Sequence, residues 1–310
     1  MIEPSPQIAA TSLAAGRAGR SVFVTAPDGL RLHVREYGAP SMSTIPVVCL
    51  PGLARMTADF DALAPVLAFA EPPRRVIAID SRGRGQSEYD PDPQHYNLAV
   101  ELSDVLAVLT ALQIGPAVFV GSSRGGILTM LLAAAHPATI AGAVLHDIGP
   151  VIEPAGLVRI KSYVGKLPRP GNLDEGVKIL RQLFAPHFPK LTPEQWFAAA
   201  RRTWKTEHGA LVPTYDVQLA HTLAEFDIER LPPPLWNEFD ALARVPVLVI
   251  RGANSDILSA ATVSAMHARH PNLESIEVAD QGHVPLLEDD TLLQRIVAFV
   301  KKCDMATLTY

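Results

Sequence analysis

The chain has 310 residues with 48% hydrophobic and 19% charged residues and a formal net charge of -5, a balance that excludes a disordered chain. Its 27 basic residues are outnumbered by 32 acidic ones with no basic run, so no nucleic-acid footprint is expected. No stretch approaches the ~20 apolar residues that span a bilayer, and Cys49 and Cys303, the only cysteines, form no CxxC or Cys/His cluster that would suggest a disulfide framework or zinc.

Residues 1–20 read as a loose tail. They carry Pro4 and Pro6 and lack the apolar segment of a secretory signal, which with the sparse cysteines points to the cytoplasm. Residues 21–26 and 30–37 are strand-like and joined around Pro27-Asp28-Gly29, a hairpin signal. Short continuous apolar runs then recur at 46–50, 75–80, 117–121, 140–146 and 246–251, the pattern of parallel strands buried on both faces. Between them, residues 97–112 place Leu98, Leu102, Val105, Leu106, Leu109 and Leu112 on one helical face, with Asn97 as N-cap. Residues 291–302 repeat the pattern behind Asp289 and Asp290 and close on Lys301 and Lys302, matching the helix dipole. Strand–helix alternation after a hairpin predicts an α/β fold: a mostly parallel, doubly wound sheet with an antiparallel N-terminal hairpin.

One segment breaks the alternation. Residues 151–242 show no buried-strand run, and helical stretches there are interrupted by prolines. Trp196, Trp204 and Trp236 all fall in it, and residues 151–245 hold 10 of the 19 aromatics in less than a third of the chain. The expected division is a tail at 1–20, a core at 21–150 and 243–310, and an inserted helical cap at 151–242. Its aromatics would serve either a small core of its own or the wall of an apolar pocket.

Gly121-Ser122-Ser123-Arg124-Gly125 fits G-x-S-x-G, directly after one strand run and directly before the helical run 127–135. A strand turning sharply into a helix holds one residue strained, with its side chain exposed at the sheet edge. Glycines suit positions 121 and 125 because the two backbones approach too closely for a Cβ. Ser123 is therefore the candidate nucleophile; Ser122 has Val120 where a glycine would be needed. A serine hydroxyl requires a base oriented by a third group, and the chain order for such an elbow is serine, acid, histidine. His283, in Asp280-Gln281-Gly282-His283-Val284-Pro285, follows the strand-like run 273–278 and precedes the last helix, so it is the candidate base. Two aspartates at strand C-termini compete for the third role. Asp256, in Gly252-Ala253-Asn254-Ser255-Asp256, is the expected member, with Asp147 as its rival. No HExxH and no Gly-x-x-x-x-Gly-Lys-Ser/Thr is present, so no metal and no cofactor is expected.

Asp80-Ser81-Arg82-Gly83-Arg84-Gly85-Gln86-Ser87 is similar to the Asp-x-Arg-Gly-x-Gly-x-Ser turn of the α/β-hydrolase fold superfamily. With the elbow, the chain resembles that superfamily over nearly its whole length, in the lid-bearing, carboxylesterase-like serine hydrolase branch. The resemblance implies an eight-stranded type of sheet, loop-bracing roles for Asp80 and Arg82, and an oxyanion hole made by the backbone N–H groups of Leu53 and Arg124. Many relatives carry His-Gly where this chain has Pro51-Gly52. Serine at 123 sets the chain apart from the dehalogenases and epoxide hydrolases, which use an aspartate nucleophile. The implied activity is hydrolysis of carboxylic esters with small to medium apolar acyl groups through an acyl-enzyme, with a small-molecule ester as the expected partner. The alternatives are a lactonase or carbon–carbon hydrolase using the same triad and, from another class, a non-catalytic small-molecule receptor. The Arg124 side chain is expected to pair with a nearby carboxylate.

Overall fold

A computed structural model of the chain describes residues 19–224, 227 and 233–307. Most of the expected N-terminal tail, residues 1–18, lies outside the described residues. The first hairpin is β1 (Arg20–Thr25) and β2 (Arg31–Tyr37), paired antiparallel from Arg20 with Glu36 to Thr25 with Arg31. The apolar runs form β3 (Val47–Leu50), β4 (Val76–Ile79), β5 (Ala117–Ser122), β6 (Ile140–His146) and, a hundred residues on, β9 (Val247–Gly252), and the strand-like run 273–278 forms β10 (Leu273–Val278). Every residue of β3, β4, β5 and β6 is buried. Burial on both faces explains why these segments lack the apolar–polar alternation of half-exposed strands.

The eight strands lie in the order β1-β2-β4-β3-β5-β6-β9-β10. Those from β3 onward run parallel, and β2 joins β4 antiparallel. Side chains alternate between two apolar layers, as the strand period requires. Val48, Leu50, Phe119, Leu145 and Val249 share a layer with α2 (Leu98–Ala111) and α3 (Arg124–Ala135). Val47, Val118, Val120, Val144 and Leu248 face the other layer, with α1 (Leu63–Ala68) and the C-terminal helix α9 (Asp290–Thr307). Cys49 lies in that second layer with no exposure, and burial pushes its thiol far up, so it behaves as a small hydrophobe. The Asn97 side chain caps α2 by accepting from the Val100 N–H at 3.0 Å.

Between β6 and β9 come α4 (Pro154–Tyr163), α5 (Leu173–Phe184), α6 (Pro193–Thr203), the strands β7 (Trp204–Glu207) and β8 (Ala210–Pro213), and α7 (Trp236–Asp240). The short β7–β8 hairpin was not expected of a helical segment; its four-residue strands are too short to leave a legible period. Leu180, Phe188, Trp196, Ala200 and Trp204 build a separate small core there. Trp236 does not join them. It packs on the main core, edge-on to Phe239 with ring centroids 6.0 Å apart, under the Arg269 guanidinium. The remaining helix, α8 (Ala260–Arg269), links β9 to β10. Among the described residues no helix is long and apolar enough to cross a membrane.

The register sets the site. Leu50 pairs with Gly121 and Ser122 with His146, so β3, β5 and β6 stop along one edge. The residues that follow them, Leu53, Ser123 and Asp147, are delivered there together.

Candidate active site

Ser123 joins β5 to α3 at φ 49° and ψ -115°, outside the regions that L-residues favour. The turn survives because its flanks cannot relax. A Cβ on Gly121 would lie 2.5 Å from the Gly125 carbonyl oxygen, and one on Gly125 would lie 2.1 Å from that of Leu50. The Ser123 N–H donates to the His146 carbonyl at 3.0 Å, tying the bend to the neighbouring strand.

His283, in the loop between β10 and α9, reaches this turn. Its Nε2 is 2.8 Å from Ser123 Oγ and its Nδ1 is 2.8 Å from Asp147 Oδ2. A carboxylate can only accept, so Nδ1 carries the hydrogen and Nε2 is left to accept from the serine hydroxyl. Asp147 is fully buried and adopts φ 54°. Its Oδ1 accepts from the Gly252 N–H at 2.7 Å, and its Oδ2 also accepts from Ser255 Oγ at 2.6 Å. These bonds fix the carboxylate from the side of β9.

The structure does not bring the expected Asp256 to this group. Ser123, His283 and Asp147 come together, whereas Asp256 faces Arg159 of α4. Arg159 Nε and Nη2 donate to its two oxygens at 2.6 and 2.7 Å, a bidentate pair that occupies the carboxylate. Burial alone would raise the Asp256 carboxyl, but Arg159 holds it below the usual carboxylate range. A signal for Asp147 was present in the sequence. Consecutive strands joined by a crossover helix are usually neighbours, and Ser123 and Asp147 each follow immediately on the last residue of such a strand. Asp256 lies four residues beyond the end of its own strand.

A second imidazole stands beside this group. His146 is buried, with Nδ1 2.6 Å from Ser122 Oγ, and burial pushes its pKa down to about 4. It is neutral near pH 7 and adds no positive charge next to His283. Ser21, His33 and Asp80 make another serine–histidine–aspartate chain, at 2.9 and 2.7 Å. Asp80 there also accepts from the N–H groups of Thr57 and Gln86, so that chain braces the turn after β4. Arg82 is likewise immobilised, donating to Asp28, Asp90 and both oxygens of Asp104.

Leu53 and Arg124 flank Ser123 on two elements. Arg124 opens α3, where the first amides have no acceptor within the helix. Leu53 lines the same cavity as Ser123 and His283. A buried ionic chain connects the two. Arg84 Nε donates to the Leu53 carbonyl, its Nη2 donates to Glu101 Oε1 at 2.9 Å, and Arg124 Nε donates to Glu101 Oε2 at 2.7 Å. Burial opposes ionisation of Glu101, yet Arg84 and Arg124 hold its carboxyl below the usual range. Glu101 on α2 left no mark in the sequence, because an acidic residue in the first turn of a helix is ordinary.

The cavity over Ser123 has a volume of about 100 Å³. Its walls are mostly apolar, and more than half of the lining residues come from the segment between β6 and β9, Tyr163, Phe184 and Trp196 among them. The aromatic enrichment of that segment thus serves both expected ends: Trp204 fills the small core, and Trp196 contributes to core and cavity alike.

Comparison with known proteins places these features. Residues 45–290 match the model of the alpha/beta hydrolase fold family. The chain is 34% identical over 271 residues to a 3-hydroxybutyrate-oligomer hydrolase of Cupriavidus necator, covering 85% of this chain and 90% of that one. It is 25% identical to a 2-(acetamidomethylene)succinate hydrolase of Mesorhizobium japonicum, covering 87% and 92%. Among solved structures, an alpha/beta hydrolase from Novosphingobium aromaticivorans superposes with a TM-score of 0.85 at 38% identity, over 92% of this chain and 99% of that one. The chain is a hydrolase and belongs to the α/β-hydrolase family.

Proposed function

We propose that the chain hydrolyses carboxylic esters of small acyl groups through an acyl-enzyme on Ser123, short oligoesters of hydroxy acids being its substrate class. The observation that carries this reading is the hydrogen-bonded chain Ser123–His283–Asp147, two bonds of 2.8 Å, opening on an apolar cavity. Ser123 Oγ attacks the ester carbonyl while His283 Nε2 takes its proton, and Asp147 keeps the imidazole in the tautomer this requires. The N–H groups of Leu53 and Arg124 hold the oxyanion, each such donor being worth on the order of 10²–10³ in rate. His283 returns the proton to the leaving alkoxide, which departs as the alcohol. Water then enters, loses a proton to His283 and releases the acid from Ser123. The described part of residues 151–242 acts as the cap that screens the acyl-enzyme from bulk solvent.

The choice of oligoester is supported by the relative from Cupriavidus necator, which acts on 3-hydroxybutyrate oligomers. A complete triad favours catalysis over a receptor role on the same fold. The test is hydrolysis of p-nitrophenyl esters of graded acyl length and of the linear 3-hydroxybutyrate dimer, with Ser123→Ala beside the wild type. Turnover of both, highest for short acyl chains and at least about 10³-fold lower in the variant, is the expected result. Equal rates in the two proteins, or no turnover of any ester, would overturn the reading.

A further inference from the structure

The cavity over Ser123 is lined mostly by apolar side chains. Arg55 is the only arginine, lysine, aspartate or glutamate among its lining residues. Arg55 follows Leu53 by two positions in the loop after β3. Its Cγ is 3.4 Å, and Ser123 Cβ 3.5 Å, from the point where a Cβ on Gly52 would sit. The stem of Arg55 therefore starts beside the nucleophile, and the side chain lines the same cavity.

Little in the protein claims its charge. The nearest carboxylate, Asp59, is 3.9 Å away, beyond hydrogen-bonding distance. Asp59 also lies 3.4 Å from Arg202, which reaches Glu288 as well. Among the described residues no acceptor receives a hydrogen bond from the Arg55 guanidinium. Arg74, Arg82, Arg84 and Arg159, by contrast, all donate to carboxylates. The Arg55 side chain is 41% exposed, so an anion that meets it need not shed all of its water. Its field also reaches the phenols of Tyr163 and Tyr215 in the same cavity, which burial keeps protonated and able to donate.

We propose that Arg55 is a carboxylate-binding subsite, and that the preferred substrates are esters carrying a free carboxylate on the side of the leaving group. This deepens the ester-hydrolase reading and rests on it. A planar guanidinium with unclaimed donors matches a carboxylate in two hydrogen bonds. The anionic end of a short hydroxy-acid oligoester would be held at the cavity rim while the scissile carbonyl lies over Ser123. A neutral ester of the same shape leaves that fork unused.

The test separates binding from turnover. The linear 3-hydroxybutyrate dimer is compared with its terminal primary amide, a neutral isostere, in two assays. Calorimetric titration of Ser123→Ala should show the acid binding about tenfold or more tightly than the amide. Adding Arg55→Gln should bring the two together, and Arg55→Lys should restore part of the difference. In the otherwise wild-type enzyme, the ratio of kcat/KM for acid over amide should fall by a similar factor on Arg55→Gln. Equal binding of acid and amide by Ser123→Ala, or a preference that survives Arg55→Gln, would overturn the proposal. So would an equal loss of rate on both substrates, which would place Arg55 at the reacting carbonyl instead. Turnover of p-nitrophenyl esters without any preference for the acid would sink the subsite alone, whereas absence of all ester turnover would sink the parent reading.

Discussion

Ser123 and Asp147 both sit at positive φ, 49° and 54°, where a non-glycine residue is held only if its surroundings leave no alternative. The surroundings are the ends of β5 and β6, whose backbone bonds fix both residues on one side of His283. The adjacent His146 makes this corner sensitive to pH. In an unfolded chain a histidine protonates near 6.5, whereas His146 in the fold resists until about pH 4. Above the unfolded value both states are neutral, so His146 adds no pH dependence there. Between about 6.5 and 4 the unfolded chain binds a proton that the folded one does not. Stability therefore falls with falling pH, by up to about 1.4 kcal/mol per unit from this group. Glu101, whose carboxyl is held low, contributes fully above the ordinary glutamate value of about 4.3 and loses that contribution as the pH falls below it. Urea midpoints measured between pH 7 and 4.5 should decline in the wild type and decline less in His146→Asn. Parallel declines would show that His146 is not the group responsible.

At the scale of elements, the unexpected feature is Glu101. It lies in the first turn of α2, and the hydrogen bonds it accepts come from Arg84 and Arg124. Through Arg84 it is joined to the loop holding Leu53, and directly to the start of α3. The two amides proposed for the oxyanion are thus cross-braced by one buried carboxylate. Replacing Glu101 by Gln keeps the shape but leaves two buried guanidiniums without a counter-charge, a change that typically costs about 3–5 kcal/mol. The expected outcome is a lowered denaturation midpoint together with a kcat that falls by about tenfold or more while KM moves little, because the oxyanion is bound chiefly in the transition state. A loss of stability with kcat intact would make the bridge structural only.

At the scale of the whole molecule, the sheet was legible because burial on both faces writes itself as unbroken apolar runs, and β3, β5, β6 and β9 begin within one residue of where those runs do. The elbow was legible for a related reason: two glycines at fixed offsets are demanded by backbone contacts of 2.5 Å or less. The choice between Asp147 and its rival Asp256 is harder to read: only the distance from the strand end separates them, and the arginine that faces Asp256, Arg159, lies 97 residues before it. The Arg84–Glu101–Arg124 chain was hidden likewise, its partners being scattered along the sequence and joined only by the fold. Those assignments carry the account, and one comparison tests them most directly: kcat/KM of Asp147→Asn against Asp256→Asn on a short-chain p-nitrophenyl ester. With Asp147 as the residue that orients His283, Asp147→Asn should lose about 10³–10⁴ in rate, while Asp256→Asn should stay within about tenfold of the wild type. The reverse order would contradict the triad and return the role to Asp256.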